Sequence, residues 1–206
     1  MKNKEYLEYT YLHRQAYLYV VEKMFATTDD LHDAMIEAAR YHDLDKAVLY
    51  TIISKKNASL YHKLTANHHI MGKPYGPKEI PYQYKVEAIV DYECAGYTKA
   101  DKPLNAYDTI RNSELFTQEW KDELLEICDY YGIARSYRNL PDDREFLEYR
   151  LKLPVPSEKN IIMELYDYLS HVPNNVMNVL RTKYNIDKID GGQMEIIVEN
   201  EIQKLR

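Results

Sequence analysis

Apolar residues recur at intervals of three and four along almost the whole 206-residue chain and hardly anywhere at two. Intervals of three and four line up side chains on one face of a helix, whereas a half-buried strand needs alternation. Only six glycines are available to interrupt such a pattern. The chain is therefore expected to be all-α, with no strand.

The first helix is expected over about Lys4 to Phe25, where Tyr6, Tyr9, His13, Ala16, Val20 and Met24 share a face. Thr27-Thr28-Asp29-Asp30 reads as a capped start to a second helix that carries Leu31, Met35 and Ala38 and reaches His42. A third stretch runs from Asp43 past Val48 and Ile52, and another from Leu60 through Leu64 to His69. Two glycines and three prolines make 71–81 a loop. The helical pattern resumes from Tyr82 to about Gly96, with Tyr84, Ala88, Asp91 and Ala95 on one face. Residues 97–105 form a second loop, and a short helix with Tyr107 and Ile110 follows. Further helices are expected near 117–131, 142–150, 158–171, 174–184 and 190–205.

A chain of this length can bury a real core. The expected organisation is a helical core over 1–115 with a helical extension over 116–206 packed on it, the two amounting to one domain or nearly so. That extension can cover a pocket, lengthen the bundle or form a homo-oligomer face. No run of about 18 apolar residues exists to span a bilayer, and the N-terminal residues lack the apolar region of a signal peptide. A cytoplasmic protein that avoids membranes is expected. Cys94 and Cys128 form no spaced metal motif and read as two semi-buried thiols. A net charge of −6 gives no positive field to draw in a long nucleic acid. The 21 tyrosines supply large amphipathic side chains for the core and its rim.

Chemistry is concentrated in the first half. Six of the seven histidines lie between positions 13 and 69: His13, His32, His42, His62, His68 and His69. A carboxylate, Asp43, directly follows His42, and Asp91 lies further on. Imidazole nitrogen with carboxylate oxygen suits divalent ions such as Mn, Fe, Co, Ni or Zn, with Mg admitted by the carboxylates. One or two ions are expected.

The order His13, His42-Asp43, Asp91 resembles the HD-domain superfamily of metal-dependent phosphohydrolases, in an HD-like branch found in bacteria and phages. Its signature is a histidine, an adjacent His-Asp pair and a distant aspartate on different helices of an all-helical bundle. The resemblance covers about residues 5–110 and implies that His13, His42, Asp43 and Asp91 bind metal. Lys46, within YHDLDK, matches the lysine of an HDxxK pattern and is implied to face the substrate phosphate. Family members with more than one metal add histidines in the interval that holds His62, His68 and His69, so Asp43 is implied to bridge two ions, with His62 and His69 as further ligands. IMGKPYGP follows His68-His69 in place of the acidic residue and tripeptide of the HD-GYP subgroup, so cyclic-dinucleotide hydrolysis is not implied.

The function expected is hydrolysis of a phosphoester in a nucleotide or other small phosphorylated metabolite. Asp43, Lys46 and Asp91 are the catalytic candidates, and Lys46, His68, Lys99 and Lys102 the substrate contacts, with Arg111 a further phosphate candidate. Two other readings stand beside it. One is a helical module that binds a nucleotide or a protein without turnover, and the other is a di-iron oxygenase. Taken singly, His13 is also readable as a core histidine, Asp43 as a helix-junction residue, and Asp45 with Lys46 as a surface ion pair.

Overall fold

In the computed structural model, the residues described are 2–43, 46, 59, 62–63, 66–69, 79–99, 105–133 and 143–153. The chain divides into two compact units. One is drawn from Met1–Leu7, Asp43–Thr65 and Pro154–Arg206, the other from Glu8–His42 and Ala66–Leu153. The expected helices beyond 153, and most of those between 43 and 65, lie outside the described residues.

All regular structure among the described residues is helical, as the periodicity requires. The helices are α1 (Lys2–Met24), α2 (His32–Tyr41), α3 (Tyr82–Thr98), α4 (Ala106–Asn112), α5 (Gln118–Tyr130) and α6 (Asp143–Lys152), with a 3-10 turn at Asn67–His69. None is long and apolar enough to cross a membrane.

Within the larger unit α3 is central. It packs against α2, the 3-10 turn, α4 and α5. Its residues from Ala88 to Asp91 are consecutively buried, so this helix is enclosed around most of its girth rather than along one stripe. Tyr17, Val21, Met35, Val86, Ile89, Val90, Ile110 and Leu124 form the fully enclosed core.

Local chemistry sets the helix ends. Asn105 caps α4 by accepting from the Asp108 N–H at 2.8 Å, and Thr117 caps α5 by accepting from the Trp120 N–H at 3.3 Å. The far end of α5 closes with the Ile133 N–H donating to the Cys128 carbonyl and the Gly132 N–H to that of Asp129. This Schellman pattern needs a left-handed residue, and Gly132 supplies it with φ 69°.

Three expectations shift. The second helix begins at His32 without a side-chain cap, and Asp29 instead accepts from the Leu31 N–H at 2.8 Å in the turn before it. The helix carrying Asp91 runs on to Thr98, which brings Tyr97 and Thr98 out of the expected loop. Finally, Ala66 is not helical and Asn67–His69 is a separate turn, so no continuous helix sets His62 and His69 on one face.

Truncating Ile89 to Ala in the enclosed helix should cost about 2–5 kcal/mol of unfolding free energy. Leu151, which is exposed, should tolerate Ala within about 0.5 kcal/mol. Urea denaturation followed by helical circular dichroism measures both.

Candidate metal centre

Three helices and a turn of the larger unit carry the site. In α3 the positions Glu87, Asp91, Cys94 and Thr98 succeed one another at four, three and four residues, the spacing of one helical face. α1 contributes His13 and α2 ends in His42, whose extended backbone (φ −56°, ψ 126°) terminates the helix. Asp43 follows in the left-handed region at φ 59°. That is the position after a helix cap usually given to glycine, and aspartate is among the few other residues that tolerate it.

Arg14 fixes the approach of α1 to this helix end. Its Nε donates to the Ala39 carbonyl at 3.3 Å, and its Nη2 donates to the Arg40 carbonyl. A guanidinium there also complements the negative end of the α2 dipole. His13 and His42, the neighbours of this clamp in the sequence, are thereby held facing α3.

His13 Nε2 and His42 Nε2 each lie 3.0 Å from the same atom, Asp91 Oδ1. All three side chains are buried. His13 Nδ1 lies 3.2 Å from Thr98 Oγ1, and Cys94 Sγ lies 3.7 Å from His13 Nδ1 and 3.8 Å from its Nε2. One donor atom each from His13, His42, Asp91 and Cys94 falls within a sphere of mutual distances no greater than 4.8 Å. Tyr17 walls the site with its ring 4.4 Å from that of His42, and its hydroxyl contacts Met35 Sδ at 3.9 Å. The His68 ring stands 4.8 Å from His42 and 4.4 Å from His69, whose Nε2 reaches to 4.0 Å of Asp91 Oδ2.

Burial is the strongest influence on Asp91 and opposes its ionisation. Hydrogen bonds from His13 and His42, with positive charge on His42 and His68, outweigh it and hold the carboxyl well below its ordinary range. Burial acts unopposed in sign on Tyr17, whose phenol is pushed well up by desolvation and then by the carboxylate of Glu87. Glu87 and Glu93 are raised by burial, although Gln83 and the Ala106 N–H respectively donate to them.

The donor set fits a divalent ion. Two donors bound at about 2.1 Å stand about 3.0 Å apart at right angles and about 3.4 Å apart in a tetrahedron, and the two histidine-to-aspartate distances match the first. Thr98 also suits metallation. Its hydroxyl can donate to His13 Nδ1 when Nε2 carries the proton, or accept from Nδ1–H when Nε2 offers its lone pair. These buried His, Asp and Cys groups can therefore hold a metal ion.

His13, His42 and Asp91 thus come together, with His68 and His69 against them. Asp43, Lys46 and His62 belong to the other compact unit and meet one another there. Lys46 Nζ donates to Asp43 Oδ2 at 2.7 Å, and His62 Nε2 lies 3.0 Å from Asp43 Oδ1. Lys99 is exposed where α3 ends, directly after Thr98, and Arg111 is exposed on α4. His32 stays half-buried beside Asp33, 3.1 Å from its carboxylate. Lys102 lies outside the described residues. Sequence reasoning passed over Cys94 and Thr98, although their spacing of three and seven from Asp91 is the signal that places them on its face.

Compared with protein-family models, curated proteins and solved structures, the chain matches none.

The depressed Asp91 carboxyl fixes a pH dependence. Its contribution to stability is fully present above the unfolded value of about 3.9 and is lost as pH falls through the lower native value. The raised Glu87 and Glu93 act in reverse, contributing in acid and losing that contribution as pH rises through their native values. In chelator-treated protein, the stability advantage over Asp91→Asn should therefore be constant near pH 6 and shrink below about pH 4. Urea unfolding of both proteins from pH 6 to 2 reads this directly; an undiminished advantage would show that the histidines do not hold Asp91 ionised.

Proposed function

We propose that this chain is a metal-dependent phosphohydrolase of the HD type, acting on a nucleotide or another small phosphorylated metabolite. The observation that carries the reading is the convergence of His13 Nε2 and His42 Nε2, at 3.0 Å each, on one oxygen of the buried Asp91. The order of these residues in the chain, and the resemblance that follows from it, supply the reaction class. By that resemblance Asp43 also belongs to the ligand set and Lys46 faces the phosphate.

His13, His42 and Asp91 would hold the ion. A bound divalent cation supplies positive charge for phosphoryl oxygens and lowers the pKa of water. Asp91 Oδ1 faces the two histidines, which leaves Oδ2 to accept a hydrogen bond from a reacting water and orient it. His69, whose Nε2 lies 4.0 Å from that oxygen, would carry a proton toward the leaving group. Tyr17 and Met35 exclude bulk solvent behind His42, where a low local dielectric strengthens each charge interaction. The acidic net charge is compatible with an anionic substrate because a bound cation sets the local field.

Elemental analysis of the purified protein beside His13→Ala and Asp91→Ala tests the centre. Bound metal is expected in the first and not in the variants, with Lys99→Ala retaining it. A phosphatase screen over nucleotides with Mn, Co, Ni or Mg should then show release of phosphate, reduced about 100-fold or more in His69→Ala. Bound iron with no phosphate release would redirect the reading to an oxygenase. Metal in none of the proteins would leave a helical binding module.

A further inference from the structure

One helix holds His13 at both ring nitrogens. Asp91 Oδ1 lies 3.0 Å from its Nε2, and Thr98 Oγ1, two turns further along α3, lies 3.2 Å from its Nδ1. A spacing of seven residues returns to the same helical face, so a single rigid element sets both contacts. Thr98 is half-buried and is the last residue of α3, where the Lys99 N–H donating to the Ala95 carbonyl at 3.0 Å closes the final turn.

The apolar and aromatic neighbours of the ring hold its plane but do not tell its nitrogens apart. Tyr9 stacks on it with centroids 5.9 Å apart and planes inclined by 10°, and the His42 ring lies 5.1 Å away. Cys94 Sγ is nearly equidistant, 3.7 Å from Nδ1 and 3.8 Å from Nε2, and so packs against the ring. A half-turn about the Cβ–Cγ bond exchanges each nitrogen with a carbon and leaves the outline of the ring almost unchanged, so such packing accepts both orientations. Polar partners reject the flipped one. When Nε2 serves a cation instead of donating to Asp91, the Thr98 hydroxyl still anchors Nδ1.

We infer that Thr98 is a positioning residue of the centre: its hydroxyl holds the His13 imidazole with Nε2 turned toward the ion and the ring proton on Nδ1. A partner on the second nitrogen of a ligating histidine fixes its tautomer and orientation, and such partners are worth about 10–100-fold in metal affinity. Thr98 acts from outside the coordination sphere, so it takes none of the positions that a catalytic ion keeps for water and substrate. The inference rests on the proposed metal centre and adds to it a residue that touches neither the ion nor the phosphate.

Zinc added to the full-length, chelator-treated protein separates the two statements. Equilibrium dialysis gives the zinc affinity, and proton–nitrogen NMR correlation of protein labelled at histidine shows which His13 nitrogen carries the proton. The expected result is zinc bound by the wild type with the His13 proton on Nδ1. Affinity should be about 10–100-fold weaker in Thr98→Val, which removes the hydroxyl at little change of shape, and restored in Thr98→Ser. Urea unfolding of the metal-free proteins isolates a merely structural role: lower stability in Thr98→Val with unchanged zinc affinity assigns the hydroxyl to packing and overturns the inference. Equal weakening in both variants, or a wild type that binds zinc through Nδ1, also overturns it and leaves the metal centre standing. No zinc bound by the wild type overturns both. The wild-type spectrum decides the orientation of His13 even if Thr98→Val does not fold.

Discussion

A carboxylate enclosed in the middle of a buried helix is the constraint on which the larger unit depends. Asp91 sits in a run of buried α3 residues between Val90 and the next turn, where an ion without partners would cost several kcal/mol. Everything around it reads as provision for that charge. Two imidazoles face one of its oxygens, a third histidine lies near the other, and Tyr17 closes the side behind His42. Removing either imidazole removes a partner from a group that cannot turn to water.

The partners must be delivered from different helices, and backbone chemistry does the delivering. α2 stops at Tyr41, its last carbonyls are taken by Arg14, and the extended backbone of His42 directs an imidazole toward α3. The left-handed Asp43 follows immediately. A non-glycine residue there carries a conformational cost of about 1–2 kcal/mol, and its side chain is committed to Lys46 and His62. Next to Arg14 on α1, Gln15 accepts from Arg150 Nε on α6 at 3.0 Å, which adds a second contact that fixes the rotation of this helix.

The all-α architecture was legible because the three-and-four periodicity and the scarcity of glycine act on every turn of helix independently. The convergence of His13, His42 and Asp91 was legible only through their order and type, since residues 78 and 49 positions apart are joined by tertiary packing that no local pattern encodes. Helix ends were less legible. α3 outlasts Gly96 because its last turn is held by the Lys99 N–H donating to the Ala95 carbonyl, and by tertiary contacts such as Thr98 with His13. The interruption at Ala66 has no glycine or proline to announce it. Cys94 was overlooked for a different reason. A single thiol spaced from no second cysteine reads as packing until the fold sets it beside an imidazole.

The tautomer of His13 links the structural and chemical descriptions of the site. Without metal, its Nε2–H donates to Asp91, and the Thr98 hydroxyl can donate to Nδ1. A metal held by His13 would need the Nε2 lone pair; the ring proton would then sit on Nδ1, where the Thr98 hydroxyl can accept its hydrogen bond. A hydroxyl serves both states without moving, whereas a backbone carbonyl in its place would only accept and would fix one of them. The same economy applies to Asp91, whose ionised form is favoured by the two histidines before any metal binds and is the form a metal requires. The donors are thus held together by hydrogen bonds among themselves, and a cation bound there would take the place of the protons on His13 Nε2 and His42 Nε2.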